Sequence, residues 1–219
     1  MKKILISNIG NRNITYKGNY IPIKVFRKET ERIWKNFDTE KEHLSIQIIQ
    51  NHITTNTEKI VLISTNQLNP EYNYQDTIFE GNILKAILEE EFQLPVEIET
   101  SQGNPTDENE VFPFYVQIFQ KLIPEVSQHQ LIFNDAGGTP QMKLVVKELL
   151  GYYLSPGKYK IVYSDQKDVK REVERMYKNK YVLLKTAQKF VNEFNYSAAL
   201  RVLQEIPEEA GVTTHLEKL

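Results

Sequence analysis

Five short runs of apolar, mostly β-branched residues stand out along the chain, at positions 3–7, 59–64, 96–100, 130–133 and 159–164. Each is nearly continuous in apolar side chains, the pattern of strands buried on both faces of a parallel sheet. Between these runs apolar positions recur at helical spacing. Residues 40–53 place Leu44, Ile48 and Ile49 on one face, and residues 76–92 do the same with Ile83, Leu84, Ile87 and Leu88. Residues 112–123 and 141–153 complete the alternation. Strand following helix in this order, joined by right-handed crossovers, predicts an α/β fold: Rossmann-like, doubly wound, with a mainly parallel sheet.

Two stretches depart from the alternation. After the first strand, residues 13–24 predict a small hairpin turning at Lys17-Gly18-Asn19, followed by a charged helical piece over 26–37. This insertion carries Arg12, Lys17, Lys24, Arg27, Lys28 and Arg32, charges that either cover the ligand edge of the sheet or face solvent. After residue 164 the strand pattern stops. Residues 168–194 read as one long helix and 196–206 as a second, separated by Asn195. The expected organisation is a sensor-sized domain over 1–165 and a C-terminal helical appendage over 166–219, with no further strand. Two helices bury little surface alone and need the domain, a second copy or a missing partner to pack on. The closing Thr213-Thr-His-Leu-Glu-Lys-Leu completes no element and reads as a truncated one.

Composition narrows the choices. The 219 residues are 40% hydrophobic and 26% charged, enough for a real core. A formal charge of −2 weighs against sequence-independent binding of long nucleic acid, which calls for a basic excess. With no cysteine, disulfides, thiolate metal sites and a cysteine nucleophile drop out. His43, His52, His129 and His215 show no metal-ligand spacing, and the first two, on one expected helix, do not share a face. No metal is expected. No apolar stretch reaches membrane-spanning length, and the N-terminal Met-Lys-Lys-Ile-Leu-Ile-Ser lacks a signal-peptide core, so a cytoplasmic location is the default.

The candidate chemistry lies where the strands end. In a doubly wound sheet ligands bind beyond the carboxyl ends, at the switch in strand order. The loops there begin Ser7-Asn8-Ile9-Gly10, Ser64-Thr65-Asn66-Gln67, Thr100-Ser101-Gln102-Gly103 and Asn134-Asp135-Ala136-Gly137. They offer amides and hydroxyls rather than carboxylate pairs, which suits phosphates, riboses and base edges better than acid–base catalysis; exposed loops are also polar for no functional reason. In the fourth, Gly137 and Gly138 allow a sharp turn and a close approach, Thr139 suits an N-cap and Pro140 the first helical position. The free N–H groups and positive dipole end of that helix favour an anion. The plainer alternative is a strand–helix connection that only needs a tight turn. Convergence of Asn8 and Thr139 at the same edge tips the balance toward a nucleotide site. A dinucleotide coenzyme is disfavoured, because G-x-G-x-x-G and its acidic partner are missing, as are a Walker loop and a G-x-S-x-G elbow. No cofactor is expected.

Gly138-Thr139-Pro140-Gln141-Met142 after the fourth strand, Ser7-Asn8-Ile9-Gly10 after the first, and Ser64-Thr65-Asn66-Gln67 preceding Asp76-Thr77 together resemble the CARF domain, the CRISPR-associated Rossmann-fold sensor of type III immunity. The likeness covers residues 1–165 and is greatest to the accessory ribonucleases of that system. Asn195-Tyr196-Ser197-Ala198-Ala199-Leu200 also resembles the helical linker that follows the sensor there. The resemblance implies a homodimer whose two switch-point edges form one pocket for cyclic tetra- or hexa-adenylate, a two-fold ring meeting a two-fold protein. It implies Ser7, Asn8 and Gly10 on the first-strand side. Thr65 and Asn66 would stand on the second, and Gly137, Gly138, Thr139 and Gln141 on the fourth. Backbone N–H groups from Gly138 to Gln141 would take phosphates, with Lys143 an added contact or a solvated lysine. The chain would then be an allosteric sensor for an effector it lacks, since no Arg-x₄₋₆-His ribonuclease motif is present. The alternative is a metal-independent ring nuclease, with Asn8 and Thr139 orienting a ribose 2′-OH for attack on its own phosphate.

Overall fold

The computed structural model describes residues 1–155, 157–164, 170–172 and 180–204. Its strands are β1 (Lys2–Asn8), β2 (Ile14–Tyr16), β3 (Leu44–Ile46), β4 (Thr57–Thr65), β5 (Val96–Ser101), β6 (His129–Asn134), β7 (Tyr159–Ser164) and β8 (Lys170–Glu172). Its α-helices are α1 (Phe26–Lys35), α2 (Phe37–Glu40), α3 (Ile78–Phe92), α4 (Glu108–Val126), α5 (Pro140–Tyr153), α6 (Lys180–Asn192) and α7 (Tyr196–Gln204).

The main sheet runs β5-β4-β1-β6-β7-β8. The first five strands are parallel and β8 is antiparallel on the edge. Side chains alternate between the two faces of a strand, and here both faces are covered. Ile4 and Ile6 of β1 join Tyr115 and Phe119 of α4 and Val145 and Leu149 of α5 in one core. Leu5 points the other way, into a core with Phe26 and Ile33 of α1 and Ile83 and Leu84 of α3. The sheet therefore lies between α1 and α3 on one face and α4 and α5 on the other, which accounts for the apolar runs of β1, β4 and β6. From β1 the chain builds outward through β4 to β5; α4 then carries it back past β1 to β6 on the far side. Strand order reverses between β1 and β6, so their carboxyl ends flank the crevice typical of ligand sites in such sheets.

Three expectations are corrected. Residues 40–53 do not form a helix: Leu44–Ile46 is a strand paired antiparallel with Ile14–Tyr16, and 3₁₀ turns flank it at Lys41–His43 and Ile49–His52. Ile48 sits at φ 70°, which no helix allows. The apolar spacing is satisfied instead by burying Ile46 and Ile49 beside Ile14, so tertiary pairing overrides the periodicity. Consequently His43 and His52 do not share a helix. The turn at Lys17-Gly18 does form, with both residues at positive φ and reciprocal bonds between Tyr16 and Asn19. Its incoming strand, however, pairs with β3 rather than with the residues after the turn.

The third correction concerns the chain after residue 164. A strand does follow: β8 pairs Val162 with Glu172 and Ser164 with Lys170, and α6 begins only at Lys180. The helix expected over 112–123 is also longer. Asp107 caps it by accepting from the Asn109 N–H at 2.9 Å, which starts the helix before Pro113. At the C-terminus α6 and α7 pack through the buried small residues Ala187 and Ala199. Asn195 caps the second of them, accepting from the Ala198 N–H at 3.2 Å.

Candidate functional site

Two asparagines close the central strands. Asn8, at the end of β1, is fully buried, and its Oδ1 accepts from the Tyr115 hydroxyl at 2.5 Å; burial holds that phenol neutral, its pKa well above the usual tyrosine range. Asn134, at the end of β6, is equally buried. Its Nδ2 donates to Ser7 Oγ at 3.1 Å, while its Oδ1 accepts from the Ala136 N–H at 3.1 Å and starts the turn. The turn then presses onto β1. A Cβ on Gly137 would lie 2.0 Å from the Asn8 carbonyl oxygen, and Gly138, at φ +80°, would place one 2.7 Å from Asn8 Cβ. Both glycines are required by the close approach of the two strand ends.

Thr139 follows as the N-cap of α5, accepting from the Met142 N–H at 3.2 Å. Its hydroxyl proton goes to the Pro105 carbonyl, so one side chain ties the loop after β5 to the turn after β6. Gln141, second in the helix, keeps an N–H with no intrahelical acceptor, as helix geometry dictates. Lys143 stands behind the turn, donating to the Ala136 carbonyl at 3.3 Å. Burial pushes its pKa down, against the opposing pull of Asp135, which itself pairs with Lys147 at 2.7 Å.

The loop after β4 is fixed from the insertion. Asp76, fully buried, accepts from Arg27 Nη1 at 2.7 Å, the Gln67 N–H at 2.8 Å and Gln67 Nε2 at 3.0 Å. Arg27 Nη2 also donates to Asn66 Oδ1 at 2.9 Å. Thr65 and Thr77 exchange bonds from backbone N–H to hydroxyl at 3.0 and 3.2 Å, joining the end of β4 to the start of α3. Under the loop after β1, the buried Glu80 accepts the Asn13 N–H at 3.2 Å, and the Asn13 amide donates to the Gly10 carbonyl at 2.7 Å. Burial raises the Glu80 pKa well above the carboxylate range, and Oε2 has no hydrogen-bond partner among the described residues.

These loops enclose a cavity of about 490 Å³ at the carboxyl edge. Gly10 and Asn11 line it from β1, Thr65 and Gln67 from β4, Asn104 to Thr106 from β5, and Gly138, Thr139 and Met142 from the β6 turn. Tyr72, Gln75 and Thr77 complete the wall beside Ile9. The volume is that of a small-ligand site. Tyrosine apart, no lining side chain is ionisable; recognition here works through amides, hydroxyls and a helix N-terminus.

Of the residues named from sequence, Gly10, Thr65, Gly138 and Thr139 meet at this surface. Ser7, Asn8 and Gly137 are buried and absent from the lining, Asn66 is held by Arg27, and Gln141 and Lys143 lie off the lining. Sequence reasoning did not single out Tyr72, Asn11, Pro105 or the Arg27–Asp76 pair. Arg27 had a signal, as a cation in the insertion, but its partner lies 49 residues away. Among the described residues there is no cluster of histidine and acidic groups able to hold a metal, and no helix is long and apolar enough to cross a membrane.

Compared by sequence, the chain matches no family model and no curated protein. Compared by structure, it is similar to Enterococcus italicus Csm6 bound to cyclic hexa-2′-fluoro-hexa-dAMP, with 14% identity and a TM-score of 0.53 over 93% of this chain and 49% of that one. Can2 from Sulfobacillus thermosulfidooxidans in complex with cyclic tetra-adenylate is 11% identical, with a TM-score of 0.36 over 87% of this chain and 48% of that one, too distant in backbone to bear on the fold. This chain thus spans about half the length of either protein. It carries the Rossmann-like fold found in Enterococcus italicus Csm6, the fold that its CARF resemblance implied.

Proposed function

We propose that this chain is a cyclic-oligoadenylate sensor of type III CRISPR antiviral signalling, dimeric, and the regulatory part of a protein whose effector lies outside this sequence. One observation carries the reading: an uncharged cavity at the strand-order switch, bounded by the glycine turn and the N-terminus of α5. Such a lip supplies N–H donors and a dipole to phosphates without a basic patch, which reconciles an anionic ligand with a chain of net charge −2. The fold likeness to Csm6 supports the choice of ligand class. An isologous dimer presents two such lips to one symmetric ring. Residues 1–165 and the neighbouring β8 form the sensor, and α6 and α7 its helical appendage.

Binding is preferred to ring cleavage because of what Asn8 and Thr139 already do. The Asn8 side chain is buried against Tyr115 and Gly138, and the Thr139 proton is given to Pro105. Thr139 has its one proton engaged, and Asn8, although its Nδ2 has no partner among the described residues, is fully buried beneath the glycine turn and out of reach of a ribose. Calorimetry with cyclic tetra- and hexa-adenylate tests the proposal, the expected result being binding of one ring per two chains. Absence of heat with both rings would refute it. Mass spectrometry of the same samples should return intact ring, and linear products ending in 2′,3′-cyclic phosphate would establish the nuclease instead.

A further inference from the structure

Tyr72 contributes the only aromatic ring to the cavity lining among the described residues, and 47% of its surface stays exposed. Its backbone is nevertheless anchored. The Tyr72 carbonyl accepts from Gln67 Nε2 at 3.3 Å, and its N–H donates to the Asn69 carbonyl at 3.3 Å. Gln67 is in turn held on buried Asp76, which Arg27 grips. An open aromatic face is therefore presented from a turn with a buried root, in a wall whose other apolar members are Ile9, Pro105 and Met142.

The amides of the same cavity differ in their engagement. Asn104 Oδ1 already accepts from the Thr106 N–H and hydroxyl, and Gln75 Nε2 donates to the Tyr74 hydroxyl. Asn11, half-buried on the loop after β1, gives its carboxamide to no other described residue. A flat uncharged guest with a donor beside an acceptor on its edge matches an open ring plus a free carboxamide. We propose that Tyr72 stacks on an adenine base and that Asn11 reads its edge, accepting from the N6 amino group and donating to N7. This rests on the cyclic-oligonucleotide reading of the site and adds to it the basis of base choice. On that edge guanine offers two acceptors, O6 and N7, so whichever way the carboxamide turns its carbonyl meets an acceptor and the base is rejected.

The test is binding of the full chain to whichever of cyclic tetra- or hexa-adenylate the unaltered protein takes, and to the oligoguanylate ring of equal size. Tyr72→Phe should bind adenylate within about threefold of the unaltered chain, while Tyr72→Leu, which keeps bulk and loses the π-face, should weaken it about tenfold or more. Asn11→Ala should narrow the preference for adenylate over guanylate by about tenfold. Both side chains lie outside the two cores, so thermal midpoints should match across the set. If the unaltered chain binds adenylate and Tyr72→Leu binds it equally, or if Phe and Leu weaken it alike, stacking is refuted and the sensor reading stands. An undiminished adenylate preference in Asn11→Ala refutes the edge contact. If the unaltered chain takes neither adenylate ring, the sensor reading falls and this inference with it.

Discussion

Gly137 is the tightest position at the switch point, because what crowds it is backbone rather than a movable side chain. A methyl there would meet the Asn8 carbonyl oxygen at 2.0 Å, whereas one on Gly10 finds its nearest neighbour at 3.4 Å. Gly137→Ala should therefore lower stability by about 3 kcal/mol or more, against about 1 kcal/mol or less for Gly10→Ala, as chemical denaturation of the two variants will show. Glu80 makes a different prediction. Burial keeps its carboxyl protonated in the folded chain, while the unfolded chain releases the proton in the ordinary carboxylate range. Between those two pKa values the folded state binds more protons, so stability is fully present below the unfolded value and falls as pH rises toward the folded one. Glu80→Gln keeps the shape and cannot ionise. Relative to that variant, the unaltered chain should lose thermal midpoint as pH rises above the ordinary carboxylate range; parallel profiles would show that Glu80 is not buried as a neutral acid.

At the scale of elements, the ion pair between α1 and the segment entering α3 holds the insertion over the ligand edge. Arg27→Ala leaves Asp76 buried with only the two Gln67 donors, and removal of one partner from a buried pair costs about 3–5 kcal/mol. Urea denaturation should show a loss of that order, and Arg27→Ala/Asp76→Asn should recover part of it. The same pair illustrates what a sequence discloses. Strands β1, β4 and β6 were legible because burial on two faces leaves a run of apolar residues that no surface segment needs; β5 and β7 were legible through their β-branched residues, although Glu97, Glu99 and Lys160 break the run. The Thr139-Pro140 start of α5 was legible because capping is local. Arg27 and Asp76 were not, since only the fold brings them together. Residues 40–53 misled for a related reason: Leu44, Ile48 and Ile49 carry a helical spacing, yet the force that decides is pairing with Ile14–Tyr16, far earlier in the chain. Tyr72 sits in a polar loop, where an aromatic gives no periodic signal, and only the cavity beside it makes it conspicuous.

For the molecule as a whole, β8 moves the edge of the sheet past the point where the apolar runs end. A chain cut after residue 165 loses the partner of Val162 and Ser164, while one cut after residue 175 keeps it. The shorter piece should unfold about 3 °C lower or more, a difference that scanning calorimetry will resolve. Beyond that edge, Phe194, in the turn between α6 and α7, is 79% exposed and Leu200 of α7 is 50% exposed. Across the sheet, the Thr139 hydroxyl has a consequence of its own. It spans the two halves of the crevice, and it has a single proton, already lent to Pro105 two residues ahead of the Asp107 cap of α4. Thr139→Val, which has no proton to lend, would part the two loops that meet at this point of the crevice.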